Sequence, residues 1–556
     1  MDFVLALHSH LPWVLHHGRW PHGSDWLCEA AVDTYLPLIA ALKALEHREI
    51  PSPVTLGVTP ILANQLAHPA FVAELEVFLA QRIEACDEAV TSFERSGETH
   101  LRPLALFWRG HLRRLDRTFA RLGHDPVGTL RRLADAGRIE LMSSAATHAF
   151  LPLLARDESI RFQLELGRRE HARLFGHAPS GCWLPECAYR NAGPWRPSPN
   201  APAVEHRVGL EDLLSAAGYR YCFTDAHLAQ AGQSLSLYGE RDVVDGIREP
   251  GAALIDAVFP RSPYRTYEMA PSRGEPVAVL VRDPQSSLRV WSRWQGYPGD
   301  AAYLEFHKIR YPGGLKFWRV TGLNVDLGGK EPYDPNVARA RAWRHAHGLA
   351  AVLREVSAAS MPLGGDVIAV PFDTELFGHW WFEGVDFLAD LYRALAQENG
   401  VRPATASEHL DRAPPAQGIR LAEGSWGANG DYSMWLNPGT TWTWERLWPL
   451  EHRFWRAAPQ ARGTPLAEPV LTQAARELVL AQASDWQFII STGAATDYAE
   501  RRFAEHCDNL AELLDALEAG STERLLVGAA RVDALSAVND PFPTIREALD
   551  AVLDQA

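Results

Sequence analysis

The sequence predicts an α/β fold: a run of parallel βα units with a helical insertion, followed by an all-α C-terminal domain. Three observations predict it. Seven apolar runs of strand length recur before residue 400, longer helical patterns separate them, and beyond 400 only helical periodicity is legible. Seven units in succession favour a barrel and leave an open sheet as the alternative.

In chain order the runs are 3–7, 54–58, 139–142, 181–184, 219–223, 277–281 and 367–370, with helical patterns such as 34–46 and 337–356 between them. Residues 71–95 and 107–136 are charged, amphipathic and strand-free, which places a helical insertion at about 70–135. The span 228–275 is rich in Gly, Ser and Pro with little periodicity, which predicts a long loop near the active face. Segments 447–458, 469–483 and 497–517 are helical, so residues 1–400 read as the barrel unit and 401–556 as the C-terminal helical domain.

Composition excludes several classes. The chain has 556 residues, 47% hydrophobic and 22% charged, which describes a folded protein too long for one ordinary core. A net charge of −15 argues against a nucleic-acid partner, because phosphate binding needs clustered Lys and Arg. No run reaches the roughly 18 apolar residues of a membrane span. The six cysteines follow neither zinc nor disulfide spacing, and the N-terminus has no basic leader. A cytoplasmic monomer without metal or cofactor is expected.

The chemistry gathers at strand ends. Gly181-Cys182-Trp183-Leu184-Pro185 delivers Glu186, and Val367-Ile368-Ala369-Val370-Pro371-Phe372 delivers Asp373. In a barrel the C-terminal strand ends form the active face. Two such carboxyls set among aromatic residues suit glycoside cleavage, with Glu186 as candidate nucleophile and Asp373 as candidate general acid/base. Spacing leaves retaining and inverting geometries both open. His8, His10 and His148 also fall at strand ends, where they can contact sugar hydroxyls, bind a metal or pack. Of the nineteen tryptophans, Trp291, Trp426 and Trp435 are candidate stacking platforms, and Gly424-Ser425 with Gly427 place Trp426 in a loop. Asp485, between Ser484 and Trp486, is either a cleft acid or part of a solvated face.

Five segments carry a resemblance: His8-Ser9-His10-Leu11-Pro12-Trp13, residues 137–148, residues 183–189, residues 373–381 and Ala483-Ser484-Asp485-Trp486. Together they resemble glycoside hydrolase family 57, and within it the glycogen-branching subgroup. The resemblance implies an incomplete (β/α)7 barrel, a retaining mechanism without metal, and a helical domain that closes the cleft. It implies Glu186 as nucleophile and Asp373 as acid/base, with His10, His148 and His8 at the sugar next to the scissile bond. Trp291, Trp426 and Trp435 then line a glucan channel, Asp485 is a cleft acid, and a mobile-loop tyrosine matches Tyr238. The family commonly has Tyr where this chain has Phe372. The expected function is cleavage of α-1,4 bonds in amylose or glycogen and formation of α-1,6 branches. Rivals are a 4-α-glucanotransferase, an α-amylase, a metal-dependent hydrolase and a non-catalytic glucan-binding protein.

Overall fold

The structure, a computed structural model, describes residues 1–235, 261–292, 296–311, 313–397 and 399–555. Seven strands form its frame: β1 (Asp2–Ser9), β2 (Thr55–Val58), β3 (Glu140–Ser144), β4 (Gly181–Trp183), β5 (Tyr221–Thr224), β6 (Val277–Val281) and β7 (Val367–Asp373). They are the seven apolar runs of the sequence. All neighbours are parallel, in the order β7-β1-β2-β3-β4-β5-β6. Among the described residues, β6 and β7 join through one bridge, Arg282 to Ala369, with Asp283 N donating to Ala369 O at 2.8 Å. The barrel is therefore curled but incomplete.

Alternation along β1 and β7 sorts their side chains. Val4, Ala6, Val367 and Ala369 point inward onto Met142, Trp183, Phe223 and Leu280, while Phe3, Leu5, Leu7, Ile368, Val370 and Phe372 face the surrounding helices. Continuing the inward series places His8 and Asp373 on the interior side at the top, and the two are register partners. Two interior positions are glycines for lack of space. A Cβ on Gly181 would stand 2.2 Å from the Tyr221 ring, and one on Gly57 would stand 3.0 Å from Met142. Phe372 lies on the outer face, packed on Phe377, so a hydroxyl there would not enter the barrel interior.

The expected insertion is three helices, Pro69–Ser96, Arg102–Arg121 and Pro126–Asp135, the first capped by His68 and the third by Asp125. In the span expected to be one long loop, the helix Ala226–Gln230 and the strands Gln233–Leu235 and Thr266–Met269 are ordered, and 236–260 lies outside the described residues.

The absence of strand beyond 400 is corrected. Arg402–Pro403 pairs with β1, and Gly418–Arg420 pairs with Gln233–Leu235 and Thr266–Met269 in the main sheet. Two- and three-residue strands carry no readable periodicity. We therefore propose that the helical domain starts at Thr441, where the helix Thr441–Ala461 begins, and not at 401. This domain is bound to the barrel by buried donors: Trp448 Nε1 to Leu153 O (2.8 Å), Trp455 Nε1 to Ser159 Oγ (2.8 Å) and Ala155 N to Glu451 (2.8 Å).

Candidate active site

Glu186 is delivered by strain. Leu184 is extended, then Glu186 (φ 60°) and Cys187 (φ 49°) both adopt left-handed backbone, which costs about 1–3 kcal/mol each in a non-glycine residue. The loop 424–426 holds the turn in place. Tyr189 and Gly424 exchange backbone hydrogen bonds (2.9 and 3.2 Å), and Trp426 N donates to Glu186 O at 2.9 Å. The same loop then addresses the side chain: Trp426 Nε1 donates to Glu186 Oε2 at 2.7 Å, while Ser484 Oγ lies 3.4 Å from Oε1.

Asp373 ends β7. Among the described residues no hydrogen-bond donor is seated on its carboxyl. Arg282 supplies a nearby positive charge, with its guanidinium 5.3 Å above the Trp426 ring and 3.0 Å from Asp225. Burial pushes Asp373 up to about 7. Burial, together with the charges of Asp373 and Asp485, pushes Glu186 up to about 8 against the pull of its Trp426 hydrogen bond. The two carboxyls thus act on each other electrostatically within one site. Hydrogen bonds from Trp426 and Ser484 favour the Glu186 anion but do not outweigh its burial: both carboxyls are raised, Glu186 the further, so near neutral pH the site shares a proton between them.

A third carboxyl stands beside them. Glu375, two residues past Asp373, accepts from Tyr35 OH (2.5 Å) and His10 N (3.1 Å), and burial pushes it up to about 8. Protonated at neutral pH, it adds no charge to the pair.

The histidines form a stacked column. His8 lies on Trp183 (4.6 Å between centroids, 9°) and His10 lies on His148 (4.2 Å, 23°). His8 Nε2 and His148 Nε2 are 2.9 Å apart, His148 Nδ1 is 3.0 Å from Ser484 Oγ, and His10 spans Thr59 (3.0 Å) and Asp485 (2.9 Å). Burial holds His8 and His148 well below the ordinary imidazole range, so both are neutral near pH 7. One tautomer set runs donors toward Glu186: His8 Nε2–H to His148, His148 Nδ1–H to Ser484, and Ser484 O–H to Glu186.

The structure thus brings Glu186, Asp373, His8, His10, His148, Trp426 and Asp485 together. Asp485 belongs to the cleft, not to a solvated face, because His10 holds it at the start of the helix Asp485–Thr492. Trp291 ends the helix Pro284–Trp291 with 41% of its surface exposed, as a platform requires. Trp435 does not have the free stacking face expected of it. It is 1% exposed, stacks on Phe150 (4.4 Å) and backs Gly427 of the Trp426 loop. Its flanking sequence gave no hint of Phe150, which comes from another segment. Tyr238 lies outside the described residues.

Four residues of this site went unread in the sequence: Glu375, Tyr35, Ser484 and Arg282. Arg282 directly follows β6 just as Asp225 follows β5, so the strand-end rule would have found it.

Partly buried carboxyls at the strand ends of an incomplete (β/α)7 barrel, beside a histidine column and tryptophan indoles, define a carbohydrate-active enzyme. The chain belongs to glycosyl hydrolase family 57, whose model matches residues 4–422, and a model of the 1,4-alpha-glucan branching enzyme C-terminal domain matches residues 449–549. It is 37% identical over 518 residues to a 1,4-alpha-glucan branching enzyme of Thermococcus kodakarensis, covering 92% of this chain and 73% of that protein. The crystal structure of that enzyme superimposes with a TM-score of 0.86 at 36% identity, covering 98% and 95% of the two chains. A probable 1,4-alpha-glucan branching enzyme of Mycobacterium tuberculosis is 33% identical over 96% of both chains. The alpha-amylase AmyC of Thermotoga maritima superimposes with a TM-score of 0.77 at 28% identity, over 96% of each.

Proposed function

We propose that this chain is a retaining α-1,4-glucan branching enzyme that works by double displacement at Glu186 and Asp373. The observation that carries the reading is the unequal pair itself: two partly buried carboxyls in one site, Glu186 given hydrogen-bond donors and Asp373 without one among the described residues. Glu186 attacks the anomeric carbon; the C1–O4 bond breaks, and O4 takes the proton of Asp373. In the second step Asp373 accepts the proton of an incoming 6-hydroxyl as that oxygen attacks C1 and Glu186 departs. Water in place of the hydroxyl gives hydrolysis, so the outcome depends on how well the cleft excludes water.

His8, His10 and His148 act in this reading as contacts to the sugar at the scissile bond. The neutral imidazoles of His8 and His148 suit hydroxyls, and the ring nitrogens of His10 and His148 are engaged with Thr59, Asp485, Ser484 and His8 rather than free to ligate a metal. A metal-dependent hydrolase built on these residues predicts loss of activity with EDTA; the carboxylate pair predicts none. Trp291 and Trp426 act as stacking rings. The substrate is amylose or glycogen, which puts the enzyme in glycogen synthesis. A monomer acting in the cytoplasm fits six buried free thiols, and no helix among the described residues is long and apolar enough to cross a membrane.

The test is the linkage pattern made from amylose. New short chains released by isoamylase mark branching, and their absence with reducing ends rising marks an amylase. A further expected result concerns Trp426→Phe. It removes a donor from the Glu186 anion, so that carboxyl rises and the acid limb of the kcat/KM profile moves to higher pH. The shift is about one to two pH units, since a hydrogen bond to a charged group contributes about 1.5–3 kcal/mol and one unit is about 1.4 kcal/mol. An unmoved limb would separate Trp426 from the ionisation of Glu186.

A further inference from the structure

Asp225, partly buried at the end of β5, stands beside the site and has no task in the double displacement. Each of its carboxyl oxygens holds one cation. His227 Nδ1 lies 3.1 Å from Oδ1, and Arg282 Nη1 donates to Oδ2 at 3.0 Å. Both cations reach the segment that carries Trp426. The Arg282 guanidinium lies 5.3 Å from the centre of the Trp426 ring, and its Nε is tied to Ser287 Oγ (2.6 Å). His227 Nε2 lies 3.2 Å from Gly430 O, the carbonyl that also accepts from Ser425 N (3.2 Å) and so closes the loop around Trp426.

These partners fix the charge of His227. Carboxylate and carbonyl oxygens only accept hydrogen bonds, so an imidazole between them satisfies both only with a proton on each nitrogen. The hydrogen bond to Asp225 holds His227 above the ordinary imidazole range, the reverse of His8 and His148. Against its burial, the hydrogen bond from His227 and the charge of Arg282 hold Asp225 below the ordinary carboxylate range. Among the described residues the other titratable groups at this cluster are Arg282, Cys187, whose thiol burial keeps protonated, and Asp431, which accepts from Ser433 N at 2.8 Å. The fit is close. A Cβ on Gly430 (φ 71°) would stand 2.5 Å from His227 Nε2, and one on Gly424 would stand 2.7 Å from Leu228 of the same helix, whose carbonyl accepts from Ala422 N (3.0 Å). The helix Ala226–Gln230 is therefore the seat of the loop.

We propose that Asp225 and His227 are positioning residues for the nucleophile: through Gly430 O and Arg282 they hold Trp426 where its indole N–H meets Glu186. The inference rests on the reading of Glu186 given above. Two experiments test it. In protein labelled with ¹⁵N-histidine, the His227 ring signals, assigned by their loss in His227→Gln, show both nitrogens protonated at pH 7. A neutral His227 at that pH overturns the double contact. In branching assays, His227→Ala moves the acid limb of the kcat/KM profile up by about half to one pH unit, because a loosened Trp426 is a weaker donor to Glu186. In the Trp426→Phe background the same substitution moves it no further. An equal shift in that background means that His227 acts by charge alone, and a limb moved by Trp426→Phe but not by His227→Ala means that the loop holds itself; either overturns the positioning role and leaves the Glu186 reading intact. A limb that Trp426→Phe itself does not move overturns both.

Discussion

Glu186→Gln lowers turnover on amylose by about 10,000-fold or more, because amide nitrogen and oxygen cannot form the glycosyl ester on which the first step depends. The same substitution stabilises the fold in alkaline solution. The folded-state pKa of Glu186 is raised, from an ordinary 4.5 to about 8. A carboxyl raised on folding binds its proton more tightly in the native state, so stability falls as pH rises from about 4.5 and the full penalty is reached above about 8. Gln is never charged and avoids that loss. The gain in Tm is a few degrees at pH 9 and vanishes near pH 4. A Tm gain independent of pH would show that the side chain does not carry a raised pKa. Loss of activity together with gain of stability separates a functional carboxyl from a structural one, since removing a structural ion pair lowers both.

Asp373→Asn is the second large effect, a fall of about 100- to 10,000-fold on glucan, where both protonation of the leaving oxygen and deprotonation of the acceptor are lost. The roles of the two residues are then told apart by azide. With maltosyl fluoride, whose leaving group needs no acid, Asp373→Asn still forms the glycosyl-enzyme, and azide releases it as the α-glycosyl azide. Glu186→Gly with azide gives the β-glycosyl azide by a single displacement. If the two products were reversed, Asp373 would be the nucleophile and Glu186 the acid. The donors support the first assignment: hydrogen bonds from Trp426 and Ser484 favour the Glu186 anion, while Asp373 has no donor among the described residues and only the charges of Arg282 and His10 act against its burial.

Much of this was legible in the chain because barrel strands are short, apolar on both faces and end at the active face. That rule alone singled out His8, Glu186 and Asp373. What it missed was made by convergence. Tyr35 meets Glu375 across 340 residues, and Ser484 meets Glu186 across 298. No local pattern encodes such pairs; the folding of the barrel unit makes the first and the docking of the helical domain onto it makes the second. Trp435 failed for the same reason. Nothing in Met434-Trp435-Leu436 reveals that Phe150, from a distant segment, covers the ring. The two carboxyls of the pair are legible as candidates from sequence, while the division of labour between them comes from donors 240 and 298 residues away.

The most direct measurement is to trap the intermediate. Asp373→Asn protein incubated with maltosyl fluoride, quenched in acid and digested, is expected to carry one maltosyl group on the peptide containing Glu186. A maltosyl group on Glu375 or any other residue, or a protein that turns over by inversion and never becomes labelled, would contradict the double displacement proposed here.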